Sequence, residues 1–185
     1  MNPERFICIT LPSGEVARRL APLRASMAAM SGAKEALSYP IHVTLRTGFL
    51  VPGDDIEAFF SDFGSCLKEW SPFPMRAGGI WRTAYDDGQT KRYLIACKVD
   101  LDERLRAFHE ALISYGKYAK GTQYGYHPHI TLAFHDLSPE AFSYCSEWIE
   151  SRPDSLAASF EWLCDNVCLY SRAGEAWVER RKYHL

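Results

Sequence analysis

No stretch of this 185-residue chain approaches the ~18 consecutive apolar residues that a membrane-spanning helix requires. The opening Met1-Asn2-Pro3-Glu4-Arg5-Phe6 has no charged n-region leading into an apolar run and a cleavage site, the pattern of a secretory signal. None of the six cysteines forms a C-x-x-C pair, which removes the common zinc and dithiol redox motifs. Low-complexity tracts are missing too, so disorder explains no part of the chain. Neither sign of charge dominates: Lys and Arg total 21, Asp and Glu 23, for a net charge of −2. There is thus no global positive field to hold long nucleic acid, and an anionic substrate must be met by local groups. These absences predict a soluble, cytoplasmic protein that keeps its cysteines reduced, mainly in the core.

What is present is a regular alternation of strands and helices. A first strand spans about Arg5 to Leu11. Val16, Leu20, Leu23, Met27 and Met30 then follow a helical period, with Pro22 predicting a kink or break. A strand over Ile41 to Val51 comes next, then a helix carrying Ile56, Phe59, Phe60, Phe63 and Leu67, whose aromatic stripe reads as core. Two strands, about Met75 to Tyr85 and Lys91 to Val99, flank Asp86-Asp87-Gly88, a strong hairpin signal. Leu101, Leu105, Phe108, Leu112 and Tyr115 mark another helix, and Ser138-Pro139 caps a further one. The tail reads as three strands, about Ala158 to Leu163, Val167 to Ser171 and Ala176 to Tyr183. The two halves repeat one order of elements, as a diverged internal duplication would. Hairpin-type links between mixed elements predict an α+β fold with antiparallel sheets.

Within each half sits the same short motif. Pro40-Ile41-His42-Val43-Thr44-Leu45-Arg46 and Tyr126-His127-Pro128-His129-Ile130-Thr131-Leu132-Ala133-Phe134 both contain His-x-Thr-Leu. Side chains at i and i+2 of a strand share a face, roughly 6.5 to 7 Å apart. His42 with Thr44, and His129 with Thr131, therefore form polar pairs on strands whose other faces are core. One such tripeptide is usually incidental, with threonine chosen for β propensity and histidine for a satisfied hydrogen bond. Two in matching contexts point to a site.

These residues resemble the 2H phosphoesterase superfamily, defined by two His-x-Thr/Ser motifs, and within it the 2′-5′ RNA ligase and RNA 2′,3′-cyclic phosphodiesterase branch, whose second motif commonly reads His-Pro-His-hydrophobic-Thr-Leu. Phe6-Ile7-Cys8-Ile9-Thr10-Leu11-Pro12 is similar to the opening strand of that branch, and Leu169-Tyr170-Ser171-Arg172 to a late one. Branch members often continue the first motif with Phe-Leu-Gly, where this chain has Arg46-Thr47-Gly48-Phe49-Leu50. The resemblance implies a single bilobal domain over residues 1–185, a pseudo-twofold duplication with two mainly antiparallel sheets flanked by helices and a cleft between them. It also implies that His42 and His129 are the catalytic pair and that Thr44 and Thr131 bind phosphate.

Chemistry supports the same assignment. Opening a 2′,3′-cyclic phosphate needs one group to take a proton from water and another to protonate the departing ribose oxygen, and histidine serves either purpose near neutral pH. The threonine hydroxyls would donate to the non-bridging oxygens, where charge accumulates. Such a site needs no metal and no cofactor. The expected partner is an RNA end or nucleotide carrying a cyclic phosphate, acted on by a monomer with no membrane association. Strand parity adds Arg46 as a phosphate contact or a solvated strand-end arginine. His127 shares the parity of His129, but no third ligand of suitable spacing makes the pair a zinc site, which leaves a position beside the site. Tyr124 and Tyr126, in a segment with Lys117 and Lys120, suit base stacking or plain packing. His109, His135 and His184 read as structural or surface residues. Two rival functions remain open: a phosphodiesterase for small metabolites or 2′-5′ oligonucleotides, and a nucleotide- or RNA-binding module without turnover. Ligation is the reverse reaction, with a ribose hydroxyl in place of water.

Overall fold

The computed structural model describes residues 2–86, 88–115, 125–152, 159–174 and 176–185. Lys117, Lys120 and Tyr124 lie outside the described residues. The elements are β1 (Glu4–Thr10), α1 (Gly14–Ser31), β2 (Val43–Val51), α2 (Ile56–Leu67), β3 (Phe73–Asp86), β4 (Lys91–Val99), α3 (Glu103–Ser114), β5 (His129–Phe134), α4 (Pro139–Glu150), β6 (Phe160–Cys164), β7 (Asn166–Ala173) and β8 (Ala176–His184). The strands form two four-stranded antiparallel sheets, ordered β2-β1-β7-β8 and β5-β4-β3-β6. The α+β class and the paired antiparallel sheets are as predicted.

The helix ends follow local chemistry. Asp102 and Ser138 each accept a hydrogen bond from the backbone N–H three residues on, at Leu105 and Ala141, satisfying amides that have no intrahelical partner. Gly32 ends α1 in a left-handed conformation, φ 74°, and its N–H reaches Ala28 O. Of the predicted kink or break at Pro22, the break does not occur: α1 is one helix from Gly14 to Ser31. Its Val16, Leu20, Met27 and Ala28 are buried on both sides of the proline, so packing holds the turn that the missing N–H weakens.

The halves are interlaced. β1 and β2 of the first half share a sheet with β7 and β8 from the end of the chain, through the β1–β7 pairing, whereas β3, which closes the first half, joins the sheet of β4 and β5. The helices cross over as well: α1 packs on β5 and α4, and α3 packs on β2. One continuous apolar core runs through both sheets, from Phe6, Phe49, Phe59 and Phe63 to Phe108, Ile130, Cys145 and Trp162. Its consequence for function is positional. β2 and β5 are the edge strands of their sheets, and these two edges pack against each other. No helix among the described residues is long and apolar enough to cross a membrane.

Candidate active site

Each motif strand slips its ladder by one residue at the leucine of His-x-Thr-Leu. Between β1 and β2 the pairing steps from Ile9–Thr44 to Cys8–Arg46, so Leu45 is an extra residue. Between β4 and β5 it steps from Ala96–Thr131 to Ile95–Ala133, so Leu132 is an extra residue. A bulge breaks the alternation of faces. Leu45 and Arg46 are buried in succession, and so are Leu132 and Ala133, while Thr44 and Thr131 remain partly exposed. The bulge thus turns both strands back into the core just after the threonine.

The two imidazoles are held alike. His42 Nδ1 lies 2.9 Å from Pro40 O, and His129 Nδ1 lies 2.7 Å from His127 O, in each case the carbonyl two residues earlier. A carbonyl only accepts, so both Nδ1 atoms carry hydrogen and both Nε2 atoms are left to take or give a proton. Their surroundings differ. His42 is buried, and its pKa is pushed down to about 4, chiefly by loss of solvent; the bond to Pro40 opposes this, while Arg24 and His129 add to it. His129 is half-buried and also lowered by burial, against the bond to His127 O. Aromatic rings flank both: Tyr39 lies 5.7 Å from His42 and 5.5 Å from Trp177, and Trp81 meets His129 edge-on at 5.2 Å.

Behind the strands, the outward carbonyls of the two threonines are satisfied from the other half of the chain. Thr44 O accepts from the Tyr126 hydroxyl at 3.0 Å. Thr131 O accepts from Arg24, through Nε at 3.3 Å and Nη2 at 3.2 Å. The same guanidinium donates to Tyr39 O at 2.7 Å and to Pro40 O at 3.3 Å. His109 Nδ1 donates to Leu45 O at 2.6 Å, and its ring stacks on Tyr126 with centroids 3.6 Å apart and planes within 4°.

The structure brings His42, His129 and the strands of Thr44 and Thr131 together. Arg46 is a correction: parity put it on the face of His42 and Thr44, but the bulge at Leu45 sends it inward. Its Nη1 donates to Leu112 O at 2.9 Å and Tyr115 O at 3.0 Å, at the C-terminal end of α3, and its guanidinium lies 4.2 Å over the Phe49 ring. Only 3% of it is exposed. His127 reaches the site through its carbonyl, with its ring 5.6 Å from Trp81. Tyr126 has one face covered by His109. Sequence alone does not single out Arg24, Tyr39 or Trp81, and His109 reads from it only as a structural or surface residue. Two signals were present: a tyrosine stands three residues before each motif histidine, and Arg24 falls four residues after Leu20 on the buried face of α1.

A bilobal α+β fold with two His-x-Thr strands meeting at their edges is the architecture of the 2H phosphoesterases. The chain belongs to the 2′-5′ RNA ligase superfamily, whose profile matches residues 12–176. Among solved structures, the Thermus thermophilus protein TT0787 aligns with TM-score 0.66 and 16% identity, over 98% of this chain and 97% of that one. LigT of E. coli complexed with 3′-AMP aligns with TM-score 0.62 and 12% identity, over 100% and 99%. Usb1 of Kluyveromyces marxianus aligns with TM-score 0.54 and 10% identity, over 95% and 97%. No curated protein matches the chain.

Proposed function

We propose that this protein is a phosphodiesterase that opens 2′,3′-cyclic phosphates, or related 2′-5′ phosphodiesters, of RNA ends or nucleotides. His42 and His129 exchange the protons, Thr44 and Thr131 hold the non-bridging oxygens, and residues 1–185 act as one bilobal domain. The observation that carries this reading is the matched pair of Nδ1–carbonyl bonds, which leaves one Nε2 at the start of each of two adjoining edge strands. That a superfamily relative of this fold has been solved with 3′-AMP fits a nucleotide at the cleft.

The unequal burial favours one division of the roles. His42, more strongly biased to the neutral imidazole, accepts the proton of the attacking water as its oxygen bonds to phosphorus. His129, nearer to solvent, carries the proton that passes to the ribose oxygen as its bond to phosphorus breaks. The threonine hydroxyls donate to the oxygens on which charge develops. In reverse, a ribose hydroxyl in place of water would give 2′-5′ ligation.

The test is a panel of 2′,3′-cyclic mononucleotides, RNAs with cyclic ends and 2′-5′ dinucleotides, with product regiochemistry read by NMR. Wild type, His42→Ala and His129→Ala are run with and without a chelator. A product lost in both variants and insensitive to the chelator is expected. Absence of any mutant-sensitive product would sink the proposal.

A further inference from the structure

Arg24 is a charged side chain in the interior, 4% exposed. A buried guanidinium is ordinarily matched by a carboxylate. Here, among the described residues, its partners are three backbone carbonyls: Tyr39 O, Pro40 O and Thr131 O. Burial alone lowers its pKa, to about 10, so it remains a cation at neutral pH with no anion offsetting it. All three carbonyls belong to the two motifs or their lead-in. Pro40 O also accepts from His42 Nδ1, so the guanidinium and the His42 ring share one acceptor. The pseudo-equivalent carbonyl of the first motif, Thr44 O, is satisfied by the neutral hydroxyl of Tyr126. A neutral donor therefore suffices for a motif threonine carbonyl, whereas Arg24 ties three carbonyls and also brings a charge to the site.

Resting on the phosphate-binding reading above, we propose that Arg24 is the fixed cation of the phosphate site, acting from behind the motif strands on the anion between them rather than touching it. Arg46, the cation inside the first motif stretch, is turned away to α3. The guanidinium sits one peptide behind Thr131, and low-dielectric surroundings let its field reach the cleft with little screening. A bound phosphate then pairs with the guanidinium through the Thr131 peptide. The same field disfavours a proton on His42, which is faced also by His129 from β5 and by the Tyr39 ring.

The experiment compares wild type, Arg24→Met and Arg24→Lys, titrated with inorganic phosphate at pH 6 and followed by NMR, with His42 titrated separately. In Arg24→Met, phosphate affinity should fall by about tenfold or more, and the His42 pKa should rise. Arg24→Lys, which keeps the charge but loses the fork of donors, should retain most of the phosphate affinity. A folded Arg24→Met with lowered melting temperature but wild-type phosphate affinity and His42 pKa would overturn the inference, reducing Arg24 to a brace. Equal loss in the Met and Lys variants would overturn it as well. Should Arg24→Met not fold, the Arg24 Nε–H resonance of wild type decides: it should shift on adding phosphate, and no shift rejects the role. A wild type that binds no phosphate would instead overturn the phosphate-site reading beneath it.

Discussion

β2 and β5 carry the same devices in the same order: a tyrosine three residues before the histidine, an Nδ1 bond to the carbonyl two residues back, a threonine, and a bulged leucine. They differ in what stands behind them. The threonine carbonyl of the β2 copy is held by Tyr126, stacked on His109, and its imidazole is buried; the threonine carbonyl of the β5 copy is held by Arg24, which also reaches the carbonyls just before His42, and its imidazole is half-buried. Backbone geometry is thus duplicated and electrostatics is not. For the proposed acid–base reaction, this arrangement offers two similarly held imidazoles in unequal surroundings.

The comparison is broken most directly through the histidines. Removing either should lower turnover of a cyclic phosphate by about a hundredfold to ten-thousandfold, the usual contribution of a positioned acid or base. An activated diester with a nitrophenolate leaving group separates the two, because that group departs without protonation. His129→Ala should then recover much of its rate and His42→Ala should not. Recovery in His42→Ala instead would reverse the roles.

Stability against pH gives the next largest difference. His42 has a folded pKa near 4, below the ordinary ~6.5, so the unfolded chain binds more protons between those values. Its contribution is fully present above pH ~6.5, falls as pH drops, and is gone below about 4, a loss of about 3 kcal/mol. Urea unfolding across that window should show a shallower slope in His42→Gln than in wild type. His129→Gln should change the slope less, its imidazole being nearer to water. Equal effects would mean that the two environments are alike.

Much of this was legible in the sequence because the signals are local. Helical and strand periods, the Asp86-Asp87-Gly88 hairpin, the Ser138-Pro139 cap and the repeated His-x-Thr follow from residues within a few positions of each other. The bulges were not legible. A slip at Leu45 depends on pairing with Cys8 and Ile9, far off in sequence, and strand parity without it put Arg46 on the wrong face. Arg24 was hidden for the same reason: on α1 it looks like a surface residue beside an apolar stripe, and its acceptors lie on the lead-in to β2 and on β5, over a hundred residues away in the second case. Burial of His42 relative to His129 likewise depends on how the interlaced halves close around each motif.

Arg46→Met tests the bulge itself. Methionine keeps a stem over Phe49 but removes the two Arg46 hydrogen bonds to Leu112 O and Tyr115 O, which should cost about 2 kcal/mol in urea unfolding. Phosphate affinity should not change, since the guanidinium points to α3. A folded, fully stable Arg46→Met that binds phosphate weakly would return the residue to the cleft.

The smallest expected effect distinguishes the neutral tie from the charged one. Tyr126→Phe deletes one hydroxyl and keeps the ring on His109, so only the bond to Thr44 O is lost. A single neutral hydrogen bond of this kind contributes about 1 kcal/mol, and urea unfolding should register that much. Because no charge leaves the site, phosphate affinity and the His42 titration should stay at their wild-type values, whereas Arg24→Met moves both. If Tyr126→Phe weakened phosphate binding as strongly as Arg24→Met, support of the motif carbonyls, and not the sign of the supporting group, would be what the site requires.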